Sequence, residues 1–349
     1  MKDFFRKGFE FKWLDKNSKI ILALILFIAF FLRVYRIGYF SLWIDEFPYA
    51  FSIRDLLSGK SISALSDKFG LLIVFITLPF VKIFGESEFW LRFPTMLFGT
   101  ASVYLTYRLA RKTLDKKTAI ISALQVTFSL FCIFYSRIFR YYSSLQFFYL
   151  LLIIVLYELF ENSSNKVGFW GKYNIDKKFI YIFPVIFLIT MLSGPQSVFA
   201  IFGLSSYFFI MALVNIFINT GKARYLNKYS VIAVPLTLVS LSFLLPPFQN
   251  LVKPIITVFI SDDYFNKVMP DWEYIKTIEP EKFWVAWKTY LDVLKFDYKT
   301  ALFFITIPGI IIATIRNYKL GILIFSFFMV PFILMSFVFR ALYLPWYAT

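Results

Sequence analysis

The sequence predicts an all-α fold of membrane-crossing helices. Its 349 residues are 59% hydrophobic and 22% aromatic, with a mean hydropathy of +0.70, well beyond a soluble domain. Apolar runs close to the roughly 20 residues that cross a bilayer as a helix recur along the chain. The lysines and arginines behind a net charge of +16 lie in short loops between those runs. That distribution is a topology signal and a source of affinity for anionic membrane lipids, not a nucleic-acid surface. Histidine is absent and the one cysteine, Cys132, lies in an apolar run. An internal disulfide and an imidazole or thiolate metal centre are thereby excluded, which leaves carboxylates as the ligands for any divalent cation.

The first run, Ile20–Tyr35, begins late, ends on Arg33 and Arg36 and has no small-residue cleavage site after it, so it reads as a retained anchor. Lys2, Arg6, Lys7, Lys12, Lys16 and Lys19 precede it and put the N-terminus in the cytoplasm. Residues 38–92 then form the first outer loop. Within it, Leu71–Phe84 is apolar, but at about 14 residues with Pro79 and Lys82 inside it reads as an interfacial or re-entrant helix. Charge distribution supports this. If the segment does not cross, the basic loops around Arg108–Lys117, Lys166–Lys178, Lys222–Lys228 and Arg316–Lys319 all fall on the cytoplasmic side.

The expected spans are Ile20–Tyr35, Phe93–Tyr107, Thr118–Phe134, Ser143–Leu159, Phe179–Leu192, Val198–Ile218, Ser230–Leu245, Ala301–Ile315 and Leu320–Phe339, about nine in all. They make one transmembrane domain over residues 1–349, with a second, long outer loop at 246–299 whose Trp272, Trp284 and Trp287 suit helical pieces on the membrane surface. The chain ends shortly after Arg340, as expected of a C-terminally truncated domain.

With this topology the outer ends of the spans collect charge. Asp45 and Glu46 lie in Ser41–Leu42–Trp43–Ile44–Asp45–Glu46 after the first span, Arg92 precedes the second, Arg137 and Arg140 follow the third, and Arg340 follows the ninth. Two adjacent carboxylates beside a membrane are costly unless a site uses them. Read blandly, they cap a helix starting at Pro48, and the arginines snorkel to the interface. Read together, carboxylates and guanidinium groups at one depth can bind a phosphate and activate a hydroxyl. Trp43, Tyr49 and Tyr142 are the aromatics of such a pocket. Glu158 and Glu161, at the cytoplasmic end of the fourth span, read as solvated.

Ser41–Glu46, then Phe84–Gly85–Glu86–Ser87–Glu88–Phe89–Trp90–Leu91–Arg92–Phe93–Pro94, then Tyr135–Ser136 with Arg140 and Tyr142, resemble the polyprenyl-phosphate-sugar-dependent C-type glycosyltransferases. These include the protein O-mannosyltransferase and aminoarabinose transferase-like families. The resemblance covers about residues 38–161. It implies a multi-span fold with an acidic site in the first outer loop, and a polyprenyl-phosphate-linked sugar used on the outer face of the plasma membrane. It matches Asp45, with Glu46 beside it, to the catalytic acid, and Arg140 and Tyr142 to an Arg-x-Tyr pair. Relatives often carry His-Pro-Pro or Glu-Lys-Pro before the short helix. Here Ser66–Asp67–Lys68–Phe69–Gly70 stands instead, with Asp67 as the substitute acid.

From these matches, Asp45 is expected to act as general base on an acceptor hydroxyl, with Glu46 orienting the acceptor or a cation. Arg137, Arg140, Arg340 and Arg92 are expected at the donor phosphate. A single base without a covalent intermediate predicts inversion. Acceptors of three chemistries fit: a protein hydroxyl, a lipid or a cell-wall polymer. Two other classes compete, a lipid flippase and a non-catalytic envelope assembly protein. A flippase needs charges near span centres, whereas the ionisable groups here gather at one face.

Overall fold

The computed structural model describes residues 12–62, 70–161, 166–169, 173–218, 228–244, 311, 314–315 and 317–330. Helix α1, Lys12–Val34, is followed by a short 3₁₀ turn, Ile44–Glu46, and by α2, Phe47–Leu57, with Pro48 in its first turn where its missing N–H costs nothing. Then come α3, Leu71–Phe84, and α4, Glu88–Thr113. After these stand α5, Lys116–Phe128, α6, Leu130–Ser136, and α7, Tyr142–Phe160. A small antiparallel hairpin, β1 Lys166–Phe169 and β2 Tyr173–Asp176, precedes α8, Lys177–Leu192. The last described helices are α9, Val198–Ile218, α10, Lys228–Leu244, and α11, Tyr318–Ile324, which continues as a π-helical turn, Phe325–Met329.

The fold is helical as expected, with the hairpin as its departure from an all-α reading. Three described helices are long and apolar enough to cross a membrane, at Asn17–Val34, Tyr142–Phe160 and Val198–Phe217, and the α5–α6 pair makes a fourth if it counts as one bent span. Of the other expected spans, Phe179–Leu192, Ser230–Leu245 and Leu320–Phe339 coincide in whole or part with shorter apolar helices, and Ala301–Ile315 lies mostly outside the described residues. Expected span Phe93–Tyr107 lies within α4, which at 26 residues is about 39 Å long. The expected short helix Leu71–Phe84 has the bounds of α3, set between Gly70 and Gly85, whose φ of +66° and +85° favour residues without a Cβ. The long loop at 246–299, Asp67 and Arg340 lie outside the described residues.

The core forms three clusters. Ile25 and Ala29 of α1 pack with Val103 and Tyr107 of α4 and Ala119, Ile120 and Ala123 of α5. Leu152 and Leu156 of α7 pack with Leu204 and Phe208 of α9, Ala233 of α10 and Leu323 of α11. At the end that carries the acidic turn, Tyr49 and Ile53 of α2, Ile73 and Val74 of α3 and Leu91 of α4 enclose Phe139 and Tyr141. This third cluster is the floor of the candidate site.

The expected third span is broken. Ser129 has an extended backbone and its hydroxyl caps α6 by accepting from the Cys132 N–H at 3.1 Å, so α6 turns 59° from α5. The break orphans carbonyls at the end of α5. Arg33, fully buried near the end of α1, donates to Val126 O at 3.0 Å, to Thr127 O at 3.5 Å and to Ala29 O at 3.1 Å. A buried guanidinium thus completes a broken helix end in an apolar setting. Sequence reasoning passed over this residue, whose only signal is an arginine inside the anchor's last turn.

At the opposite end of the bundle Glu158 and Glu161 are buried, not solvated. Glu158 pairs with Lys112. Glu161 accepts from Tyr207 Oη at 2.8 Å, Tyr229 Oη at 2.6 Å and the Lys319 ammonium. Burial pushes its carboxyl pKa up, but the bonds from Lys319 and Tyr229 outweigh that and hold it below the ordinary glutamate value. The expectation failed because those partners come from α9, α10 and α11, whose approach to the end of α7 is a tertiary fact.

Helix α6 lies against α4 where Gly99 faces Ser136. A Cβ on Gly99 falls 2.3 Å from the Ser136 Cβ and 3.3 Å from Arg33 Nε. Gly99→Ala is therefore expected to destabilise the fold by about 1–3 kcal/mol through overpacking. The thermal midpoint of the detergent-solubilised protein measures this, and an unchanged midpoint contradicts the close approach.

Candidate functional site

The turn that carries the acid doublet is anchored from several directions. Helix α1 ends at Val34, and Arg36 adopts the left-handed region at φ +53° as the chain leaves the helix. The segment after it has no regular partner strand, so its carbonyls need donors from elsewhere. Arg92, five residues into α4, supplies most of them: Nη1 donates to Ile37 O at 2.9 Å and Phe40 O at 2.8 Å, and Nη2 to Ser41 O at 3.0 Å. Arg137 supplies another, donating from Nη2 to Tyr35 O at 2.8 Å. Gly38 lets this segment run against Phe89, where a Cβ meets the Phe89 Cβ at 2.9 Å.

Glu46 closes the arrangement. Its Oε1 accepts from Arg92 Nε at 2.8 Å and from the Phe139 N–H at 2.5 Å, and its Oε2 accepts from Arg92 Nη2 at 2.6 Å and the Trp43 N–H at 2.7 Å. Both carboxylate oxygens have two donors. All five N–H groups of Arg92 have acceptors as well. The pair is buried, with side chains 1% and 6% exposed.

Asp45 is the next residue back and faces another way, because successive positions of a 3₁₀ turn are about 120° apart. Its Oδ2 accepts from Arg140 Nη1 at 2.6 Å across 95 residues of sequence. This pair is 18% and 17% exposed, so it is reachable where the Glu46–Arg92 pair is not. The Arg140 guanidinium lies 5.0 Å from the Tyr142 ring centroid and 5.9 Å from those of Tyr49 and Tyr141. Tyr49 is buried against Phe139 at 5.8 Å, and Trp43 is half exposed at the rim, edge-on to Phe134 at 6.0 Å.

Tyr141 positions the Arg140 loop. Its ring sits between two glycines: a Cβ on Gly70 falls 2.8 Å from the Tyr141 Cβ, and one on Gly194 falls 2.4 Å from Cδ2. The start of α3 and the connection after α8 thus both close on the residue next to Arg140. Neither glycine stood out in the sequence.

The expected site residues therefore separate into two groups. Asp45, Arg140, Tyr49 and Tyr142 come together, with Trp43 near the rim. Glu46 and Arg92, expected at the acceptor and the phosphate, are turned inward and joined to each other. Arg137 follows α6 and reaches the Tyr35 carbonyl just beyond α1; burial and the charge of Arg92 lower its pKa from the ordinary guanidinium value. Among the described residues no three carboxylate or thiol side chains gather as a cation site.

The family model for dolichyl-phosphate-mannose-protein mannosyltransferases matches residues 70–248, just over half of the chain. The chain belongs to this family. It is an integral membrane glycosyltransferase, and the superfamily expected from Ser41–Glu46 and the Arg140–Tyr142 pair is the one found. No curated protein and no solved structure matches the chain. The mannosyltransferase family segment contains Arg140, Tyr141, Tyr142, Gly70 and Gly194, and begins after the acidic turn.

Removing one partner of the buried Glu46–Arg92 pair leaves an uncompensated charge. Glu46→Leu or Arg92→Met alone is expected to destabilise the fold by about 3–5 kcal/mol, and the double variant by much less than the two combined. Denaturation midpoints of the four proteins test the coupling, and strictly additive losses would contradict it.

Proposed function

We propose that this membrane protein transfers a sugar from a polyprenyl-phosphate donor to an acceptor hydroxyl at the extracytoplasmic face, with inversion at the sugar carbon. The observation that carries this reading is the meeting of Asp45 and Arg140 on a shelf of Tyr49, Tyr141 and Tyr142. The outer face follows from the basic N-terminus before α1 and the basic loops at the other end of the helices.

In the reaction, the acceptor oxygen attacks the anomeric carbon while the bond from that carbon to the phosphate oxygen breaks and its electron pair leaves with the lipid phosphate. Asp45 takes the proton of the attacking hydroxyl. Arg140 faces the charge that grows on the phosphate, in a setting shielded by aromatic rings where such stabilisation is strong. Glu46 and Arg92 serve this chemistry from behind: they fix the turn that aims Asp45 and, through the Phe139 N–H, the loop that aims Arg140. The resemblance of Asp45 to the catalytic acid of the C-type enzymes supports its role, and the family match covers Arg140 and its tyrosines but not the acidic turn. A divalent cation, if the reaction uses one, would be held by carboxylates, with Asp67 the candidate second acid.

In membranes supplied with a labelled polyprenyl-phosphate sugar, Asp45→Asn is expected to lower transfer by about 10²–10⁴-fold, the range of a lost general base. Arg140→Ala is expected to lower it by about 10²–10³-fold, as for removal of a donor to a developing oxyanion. Transfer near the wild-type rate by both variants would refute the assignment.

A further inference from the structure

We infer that the Asp45–Arg140 ion pair is a latch that the donor's phosphate opens, so that the enzyme becomes able to deprotonate an acceptor only after the donor has bound. The inference rests on the proposed function and concerns the order of events at that site.

The base and the phosphate-binding cation are in contact with each other. Arg140 Nη1 is 2.6 Å from Asp45 Oδ2, a charge-assisted hydrogen bond, and three tyrosine rings surround the same guanidinium. While Oδ2 accepts from Arg140, the Asp45 carboxylate is held against the guanidinium. A lipid phosphate approaching the shelf offers the Arg140 guanidinium a second anionic partner beside Asp45. Two anions sharing one guanidinium repel, so phosphate binding at Arg140 displaces the Asp45 carboxylate toward the acceptor side. The neighbouring acid cannot act in this way. Glu46 is held by four hydrogen bonds and is 1% exposed, so the turn stays in place while only the Asp45 side chain swings. The exposure of the Asp45–Arg140 pair, 18% and 17%, is what a partner-exchanging contact needs.

The latch makes Asp45 a competitor of the donor. In nanodiscs, binding of a long-chain polyprenyl monophosphate, with the corresponding polyprenol as the uncharged control, is measured for wild type, Asp45→Asn, Arg140→Ala and the double variant. Asp45→Asn is expected to bind the monophosphate about three- to tenfold more tightly than wild type, the equivalent of losing a competing, partly exposed ion pair. The gain is expected to vanish in the Arg140→Ala background, because it runs through that guanidinium. Unchanged or weaker binding by Asp45→Asn overturns the latch. A gain that persists without Arg140 also overturns it, since it then reports only the removal of a negative charge. If Asp45→Asn does not fold, Asp45→Ser provides the same comparison. Failure of the underlying reading gives a different pattern: monophosphate and polyprenol bind wild type alike and Arg140→Ala changes neither.

Discussion

A buried carboxylate must have its charge matched where it sits, and the Glu46–Arg92 pair meets that demand at the end of this bundle that carries the acidic turn. Four hydrogen bonds to one side chain and five from the other leave neither with an unmet group. Their partners come from the exit of α1, the acidic turn, α4 and the loop before α7. The pair therefore determines where these separate pieces of chain stand relative to one another. Ion pairs of this depth contribute little net stability over an apolar substitute, and their value lies in the single geometry they enforce. That geometry presents Asp45 and Arg140 to each other.

Two adjacent acids thus carry opposite duties. A tight turn separates their directions by a third of a revolution, so one faces the protein and the other faces the rim. The same division holds for the arginines. Arg33 satisfies carbonyls at the break between α5 and α6, Arg92 and Arg137 satisfy carbonyls of the segment after α1, and Arg140 alone of the four stands among tyrosines beside a reachable carboxylate. Breaking the third apolar segment at Ser129 redirects α6 and with it the loop that bears Arg140. The close approach at Gly99 and the two glycines on Tyr141 then hold that loop against α4, α3 and the connection after α8.

The far end of the bundle is closed by a second polar cluster. Glu161 joins α7 to α9, α10 and α11, and Glu158 joins α7 to α4. Membrane-embedded helices lack the hydrophobic drive that packs soluble ones, and polar clusters of this kind, together with small-residue contacts, take its place.

The membrane class, the positions of the long apolar helices, the bounds of α3 and the family were all legible in the sequence. Each depends on local quantities: apolar run length, loop charge, a short motif and its spacing. That Asp45 and Arg140 lie together, with Tyr49 and Tyr142, agrees with the sequence expectation that charges at the ends of spans converge. What each charge does was not legible. Glu46 and Asp45 differ by one position, and Arg92 and Arg140 each stand near a helix end with aromatics close by. Only the folded chain decides which of them is turned inward, since the answer depends on carbonyls and N–H groups contributed by segments 46 to 95 residues away. The broken third span, the role of Arg33 and the burial of Glu161 belong to the same class. A polar group's function in a membrane protein is set by which partners satisfy it, and partner choice is a property of the tertiary structure.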